Sequence, residues 1–167
     1  MSDMRLRDYQ EGMLERLHHA WEESQSVMLQ MPAGTGKTVL LAEEIKNEEL
    51  RMTNSSSGGV LVVAHRRELI EQISQTLTNF DIEHGLIVSG KDIDETKPVQ
   101  VASIQTLTQR TCNLNFSLVI IDEAHHAVAK TYRLLWDKWP EAKFLGVTAT
   151  PCRLNNSGFA DLFDVLL

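Results

Sequence analysis

The sequence predicts an α/β fold with a mostly parallel central sheet and helices on both faces. Short apolar runs at Ser26–Met31, Val60–Ala64, Leu118–Ile121 and Phe144–Val147 lack polar alternation, as strands buried on both sides do. Helical patterns alternate with these runs, which implies βαβ units. The polar motifs fall just after Met31, Val63, Ile121 and Val147. Ligands of such sheets sit there, beyond the carboxyl ends of the strands.

The elements follow in order. Leu6, Tyr9, Met13, Leu14 and Leu17 recur at helical spacing and predict an amphipathic helix over about residues 6–22. Ser26–Met31 is a strand that stops at Pro32. After the segment PAGTGKT, the spacing of Val39, Leu40, Leu41 and Ile45 predicts a second helix. Arg51–Gly59, rich in serine and glycine, reads as a loop. Val60–Ala64 is a strand, and Glu68–Phe80 a helix with Leu69, Ile70, Ile73, Leu77 and Phe80 facing inward. Ile87–Val88 and Val99–Ala102 are short strands, and Leu118–Ile121 and Phe144–Val147 complete the set.

Composition bounds the function. The 167 residues, 43% hydrophobic and 23% charged, suit one globular domain over residues 1–167 that needs no disulfide or metal to fold. No apolar run is long enough to cross a bilayer, and the N-terminus shows no apolar signal segment, so no membrane is expected. Cys112 and Cys152 form no ligand spacing. A reducing, cytoplasmic location is the default. The net charge of −7 argues against nucleic acid only weakly, because it does not say where the cations lie. The acidic run Glu43-Glu44-Ile45-Lys46-Asn47-Glu48-Glu49 reads as a solvated helix face.

The segment Met31-Pro32-Ala33-Gly34-Thr35-Gly36-Lys37-Thr38 carries the strongest chemistry. It departs from the full P-loop pattern at its first position, where Met31 replaces glycine. Gly34 and Gly36 still let the backbone around Thr35 bend tightly and turn its N–H groups toward an anion. The following helix adds the partial positive charge of its N-terminus. Lys37 can reach the β- and γ-phosphates of ATP, and the Thr38 hydroxyl can ligate Mg²⁺. Asp122 and Glu123 follow the strand Leu118–Ile121. Asp122 suits Mg²⁺, a hard cation that takes carboxylate and water oxygen. Glu123 can deprotonate an attacking water.

Lys37-Thr38 in PAGTGKT, Asp122-Glu123-Ala124-His125 and Thr148-Ala149-Thr150-Pro151 together resemble motifs I, II and III of superfamily 2 helicases and translocases. Their order and spacing are similar to the first of that family's two RecA-like domains, with the nearest likeness to bacterial DEAH-type motors of the RadD-like and type III restriction-subunit kinds. The resemblance covers the chain from Leu6 to Arg153. It implies a RecA-like P-loop NTPase domain that binds ATP and Mg²⁺ and couples hydrolysis to movement on nucleic acid, with DNA favoured over RNA. It also implies residue roles. Gln10, in Leu6-Arg7-Asp8-Tyr9-Gln10, would read adenine. Arg66 and Arg67 after Ala64-His65, and Ser103 and Thr106 in Ser103-Ile104-Gln105-Thr106-Leu107, would hold the phosphates of one strand. His125, Thr148 and Thr150 would couple nucleotide state to strand binding.

The resemblance further implies a second RecA-like domain whose arginines complete the ATP site. The chain stops at Leu167 and is therefore expected to be a fragment, weakly active alone. Two other readings stay open: a small-molecule kinase, which also begins with a P-loop, and a nucleotide-gated binding module that does not unwind. Trp21, Trp136 and Trp139 could stack on bases or close the core. His18 and His19 read as ordinary helix surface.

Overall fold

The structure, a computed structural model, describes residues 8–31, 37–54, 58–110, 114–122, 129–148 and 165–166. The elements are α1 (Asp8–Glu23), β1 (Ser26–Gln30), α2 (Lys37–Asn54), β2 (Gly59–Ala64), α3 (Arg67–Asn79), β3 (Gly85–Ile87), β4 (Val99–Ser103), α4 (Ile104–Gln109), β5 (Phe116–Asp122), α5 (Ala129–Lys138), β6 (Lys143–Thr148) and β7 (Val165–Leu166). The strands form one seven-stranded sheet in the order β3-β4-β2-β5-β6-β1-β7. Every pairing in it is parallel.

The unalternating apolar runs have a direct cause. Successive strand side chains point to opposite faces, and both faces are covered. Val27, Leu29, Val60, Val62, Leu118, Ile120, Leu145 and Val147 pack on one side, with Leu14 and Leu17 of α1, Leu40 and Ile45 of α2, and Ile70 and Leu77 of α3. Met28, Leu61, Val63, Val119, Ile121 and Phe144 pack on the other, with Leu107 of α4 and Tyr132, Leu135 and Trp139 of α5. Each such aliphatic side chain contributes roughly 1.5–3 kcal/mol by leaving water. The expected arrangement of helices on both faces is therefore present.

Several details depart from the sequence reading. Helix α2 continues to Asn54, past the predicted start of the loop at Arg51. Helices α4 and α5 were not expected from the apolar runs. The acidic run is not a solvated face, because Glu44 is fully buried and Glu48 is 3% exposed. Glu44 Oε2 lies 2.7 Å from His18 Nε2 of α1. Lys143 Nζ donates to Glu48 Oε2 at 3.0 Å and Ser117 Oγ donates to Glu48 Oε1 at 2.8 Å. Helical spacing of four turns both acids toward the sheet, where partners distant in sequence compensate them. His18 is thus a structural partner and not free surface.

The tryptophans close the core. Trp136 stacks on Phe144 with ring centroids 4.0 Å apart, and its Nε1 donates to Ser26 Oγ at 2.8 Å. Trp139 Nε1 donates to the Leu114 carbonyl at 3.0 Å. Trp21 lies under Lys143, whose Nζ is 4.9 Å from the ring centroid.

Strand β2 enters the sheet through a tight point. Gly59 pairs with Phe116 and Val60 with Leu118, so Ser117 is an extra residue bulged out of β5. A Cβ on Gly59 would strike the Pro98 carbonyl, which is backbone and cannot step aside. Gly59→Ala is expected to destabilise the chain by about 1–3 kcal/mol, as overpacking does. Chemical denaturation checks this, and an unchanged midpoint would show that the strand entry can shift freely.

Candidate functional site

The site is assembled by strand order. Strand β6 lies between β1 and β5. Pairing brings Gln30 beside Thr148 and Asp122 beside Val147, so the three strands end at one level. The Met31 N–H extends the β1–β6 ladder by donating to the Thr148 carbonyl at 2.8 Å. From that edge the chain runs through residues 32–36 to Lys37, where α2 begins.

Lys37 Nζ donates to Asp122 Oδ1 at 3.1 Å. The two side chains, 21% and 8% exposed, are a partly buried ion pair. They come from elements 85 positions apart in sequence and span the end of the sheet. Strands β1 and β5 are two spacings apart, about 10 Å, a gap bridged by a lysine projecting from the first turn of α2. The pair places an ammonium and a hard carboxylate beside the N-terminus of α2. Thr38 is exposed beside Lys37, and Thr148 is fully buried on the adjoining strand end.

Beneath the pair, Lys37, Thr38, Leu41, Thr76, Ile120 and Asp122 are among the residues lining a cavity of about 30 Å³. That volume holds one water and no phosphoryl group. A lysine ammonium, a hydroxyl and a carboxylate are the donor set that a Mg²⁺-bound phosphate chain requires. Among the described residues no group of three or more His, Cys, Asp or Glu side chains could hold a metal unaided.

The other expected residues divide into three groups. Gly34, Thr35, Gly36, Glu123, His125 and Thr150 lie outside the described residues. Gln10 is in the first turn of α1 and only 2% exposed, so little of its amide faces solvent. The third group sits beyond β2 and β4, which pair Ala64 with Ser103. Arg66 and Arg67 are exposed at the start of α3, and Arg67 Nε lies 3.6 Å from Glu71 Oε1. Ser103 Oγ donates to Gln105 Oε1 at 2.6 Å.

Thr106 of α4 is 6% exposed. The neighbouring Gln105 is exposed, and its Nε2 donates to the His65 carbonyl at 3.1 Å. That bond joins the two loops.

Residues 3–153 match the sequence profile of the type III restriction enzyme res subunit family. The chain belongs to that family. A 51.5 kDa protein of a Lactococcus phage (isolate 7-9) is 33% identical over 141 residues, covering 84% of this chain and 27% of its own length. The DNA 3'-5' translocase XPB2 of Sulfurisphaera tokodaii is 27% identical over 165 residues, covering 97% of this chain and 34% of its own. The crystal structure of the UvsW helicase from bacteriophage T4 superposes with a TM-score of 0.74 at 15% identity, over 100% of this chain and 62% of that one. The last comparison speaks to fold alone.

This res-subunit family member is thus an N-terminal RecA-like domain of the superfamily 2 helicase type, and the kinase reading is set aside. The chain spans about a quarter to a third of the length of these two curated relatives. Among its described residues, no helix is long and apolar enough to cross a membrane.

Proposed function

We propose that this chain is the ATP-binding motor domain of a DNA helicase or translocase acting in the cytoplasm. The observation that carries the reading is the contact of Lys37 with Asp122 at the end of the β1, β6 and β5 strands. In this reading Lys37 leaves Asp122 for the β- and γ-phosphates, which offer it more negative charge. The backbone N–H groups of Gly34, Thr35 and Gly36 cradle the same phosphates. Thr38 and Asp122 would hold Mg²⁺, which would supply charge neutralisation when bound. Glu123 takes a proton from the attacking water. Gln10 reads adenine.

The movement step uses the loops beyond β2 and β4. Arg66, Arg67, Ser103 and Thr106 offer donors to the phosphates of a strand, a contact that fixes position without reading sequence. His125, Thr148 and Thr150 couple nucleotide state to that contact. A second RecA-like domain supplies the arginines that complete the ATP site. Turnover by the 167-residue chain alone is therefore expected to fall short of the full-length protein by about 10³–10⁵.

The test is ATP hydrolysis by the full-length protein with single-stranded DNA, duplex DNA or RNA of one sequence, beside a strand-separation assay. Stimulation is expected with DNA above RNA. Stimulation without strand separation would make the protein a translocase or a nucleotide-gated clamp. Hydrolysis indifferent to every nucleic acid would contradict the reading.

A further inference from the structure

We infer that Glu44 and Glu48 are positioning residues that set the rotation of α2 and thereby aim Lys37, an inference that rests on the nucleotide site proposed above. At about 100° per residue, positions 37, 44 and 48 fall within about 40° of one another around the helix axis. Lys37, Glu44 and Glu48 therefore form one stripe, which meets β5 and β6 at its ends and α1 at Glu44. Rotating α2 moves all three together.

The partners of the stripe stand on three separate elements. Glu44 meets His18 of α1 at 2.7 Å, and Glu48 meets Lys143 of β6 at 3.0 Å and Ser117 of β5 at 2.8 Å. Ser117 is the bulged residue skipped in the β2–β5 register, and a bulge re-aims a side chain to the face that alternation would deny it. At the other end of β5, Asp122 receives Lys37. Helix α2 is thus fastened to β5 at two points. The eleven residues from Lys37 to Glu48 rise about 16 Å as helix, and the five from Ser117 to Asp122 rise about 16 Å as strand. The two spans match, so both contacts close together in one setting of the helix.

Apolar packing alone would not fix that setting. Leu40, Leu41 and Ile45 are buried against the sheet, and such contacts have no direction. A buried carboxylate does have direction, since a turn of the helix would strand it away from its cation in apolar surroundings. Two acids in the buried face of α2 are hard to explain as stabilisers and straightforward to explain as register pins.

The test is a double-mutant cycle on ATP affinity, read with a fluorescent ATP analogue where each variant keeps the far-UV spectrum of the parent. Glu48→Leu is expected to weaken binding about tenfold in the parent. It should have no further effect in Lys37→Ala, because it acts through that lysine. An equal loss in both backgrounds, or none in either, overturns the inference. Lys143→Met removes the same pair from a solvent-reachable side and serves if Glu48→Leu does not fold, with the same two outcomes.

A second readout needs no nucleotide. Acylation of Lys37 by an amine-selective reagent, followed by peptide mass, should quicken about fivefold in Glu48→Leu relative to the exposed Lys91. An unchanged rate overturns the inference. If the rate rises while Lys37→Ala binds ATP as the parent does, the nucleotide-site reading fails and the aiming of Lys37 by α2 stands.

Discussion

Glu123→Gln is expected to abolish ATP turnover by the full-length protein while leaving ATP binding intact. Glu123 follows Asp122, the last residue of β5, and Asp122 already meets Lys37. In the proposed reading the neighbouring carboxylate accepts the proton from water. Glutamine keeps the size and hydrogen-bonding reach of glutamate and loses the basicity. Removing a general base costs about 10²–10⁴ in rate. Single-turnover hydrolysis beside an equilibrium binding curve separates chemistry from affinity. Normal hydrolysis by this variant would assign the water's activation to another group.

Lys37→Ala should show a different pattern, with affinity falling first. A hydrogen bond to a charged group contributes about 1.5–3 kcal/mol, so ATP should bind roughly ten- to a hundredfold more weakly. The same change removes a cation from Asp122, whose side chain is 8% exposed. A buried carboxylate that loses such a partner is destabilising, so the thermal midpoint should fall as well. Binding must therefore be measured at a temperature where the variant is folded. ATP should restore part of the midpoint to the parent and little to the variant, because ligand stabilisation scales with occupancy. Equal stabilisation of both by ATP would remove Lys37 from the site.

The architecture was legible because its signals are local. Val60–Ala64 and Leu118–Ile121 are apolar at every position, and only a strand covered on both faces needs that. The phosphate segment and Asp122 were legible because short spacing fixes their chemistry. That Lys37 and Asp122 meet was not legible, since it depends on β6 inserting between β1 and β5. The acidic run misled for the same reason. Glu44 and Glu48 look solvated in sequence, and their partners His18, Ser117 and Lys143 lie on other elements. Helix α5 was readable in principle, since Tyr132, Leu135, Trp136 and Trp139 keep helical spacing.

These departures share a theme. Residues of the proposed nucleotide site are carried by strand ends and by the first turn of α2. Glu44 and Glu48, which we infer hold α2 in place, are charged, buried and distant in sequence from their partners. A motif reading finds the first group and passes over the second, because charge in a sequence looks like surface.

The most direct test of the central claim is a crystal structure of the chain with Mg²⁺ and a non-hydrolysable ATP analogue. The account predicts the triphosphate above the ends of β1, β6 and β5. Lys37 Nζ would be drawn from Asp122 to the β- and γ-phosphates, and the cation would lie between Thr38 and Asp122. A nucleotide bound elsewhere, or one bound there with Lys37 still on Asp122, would contradict it.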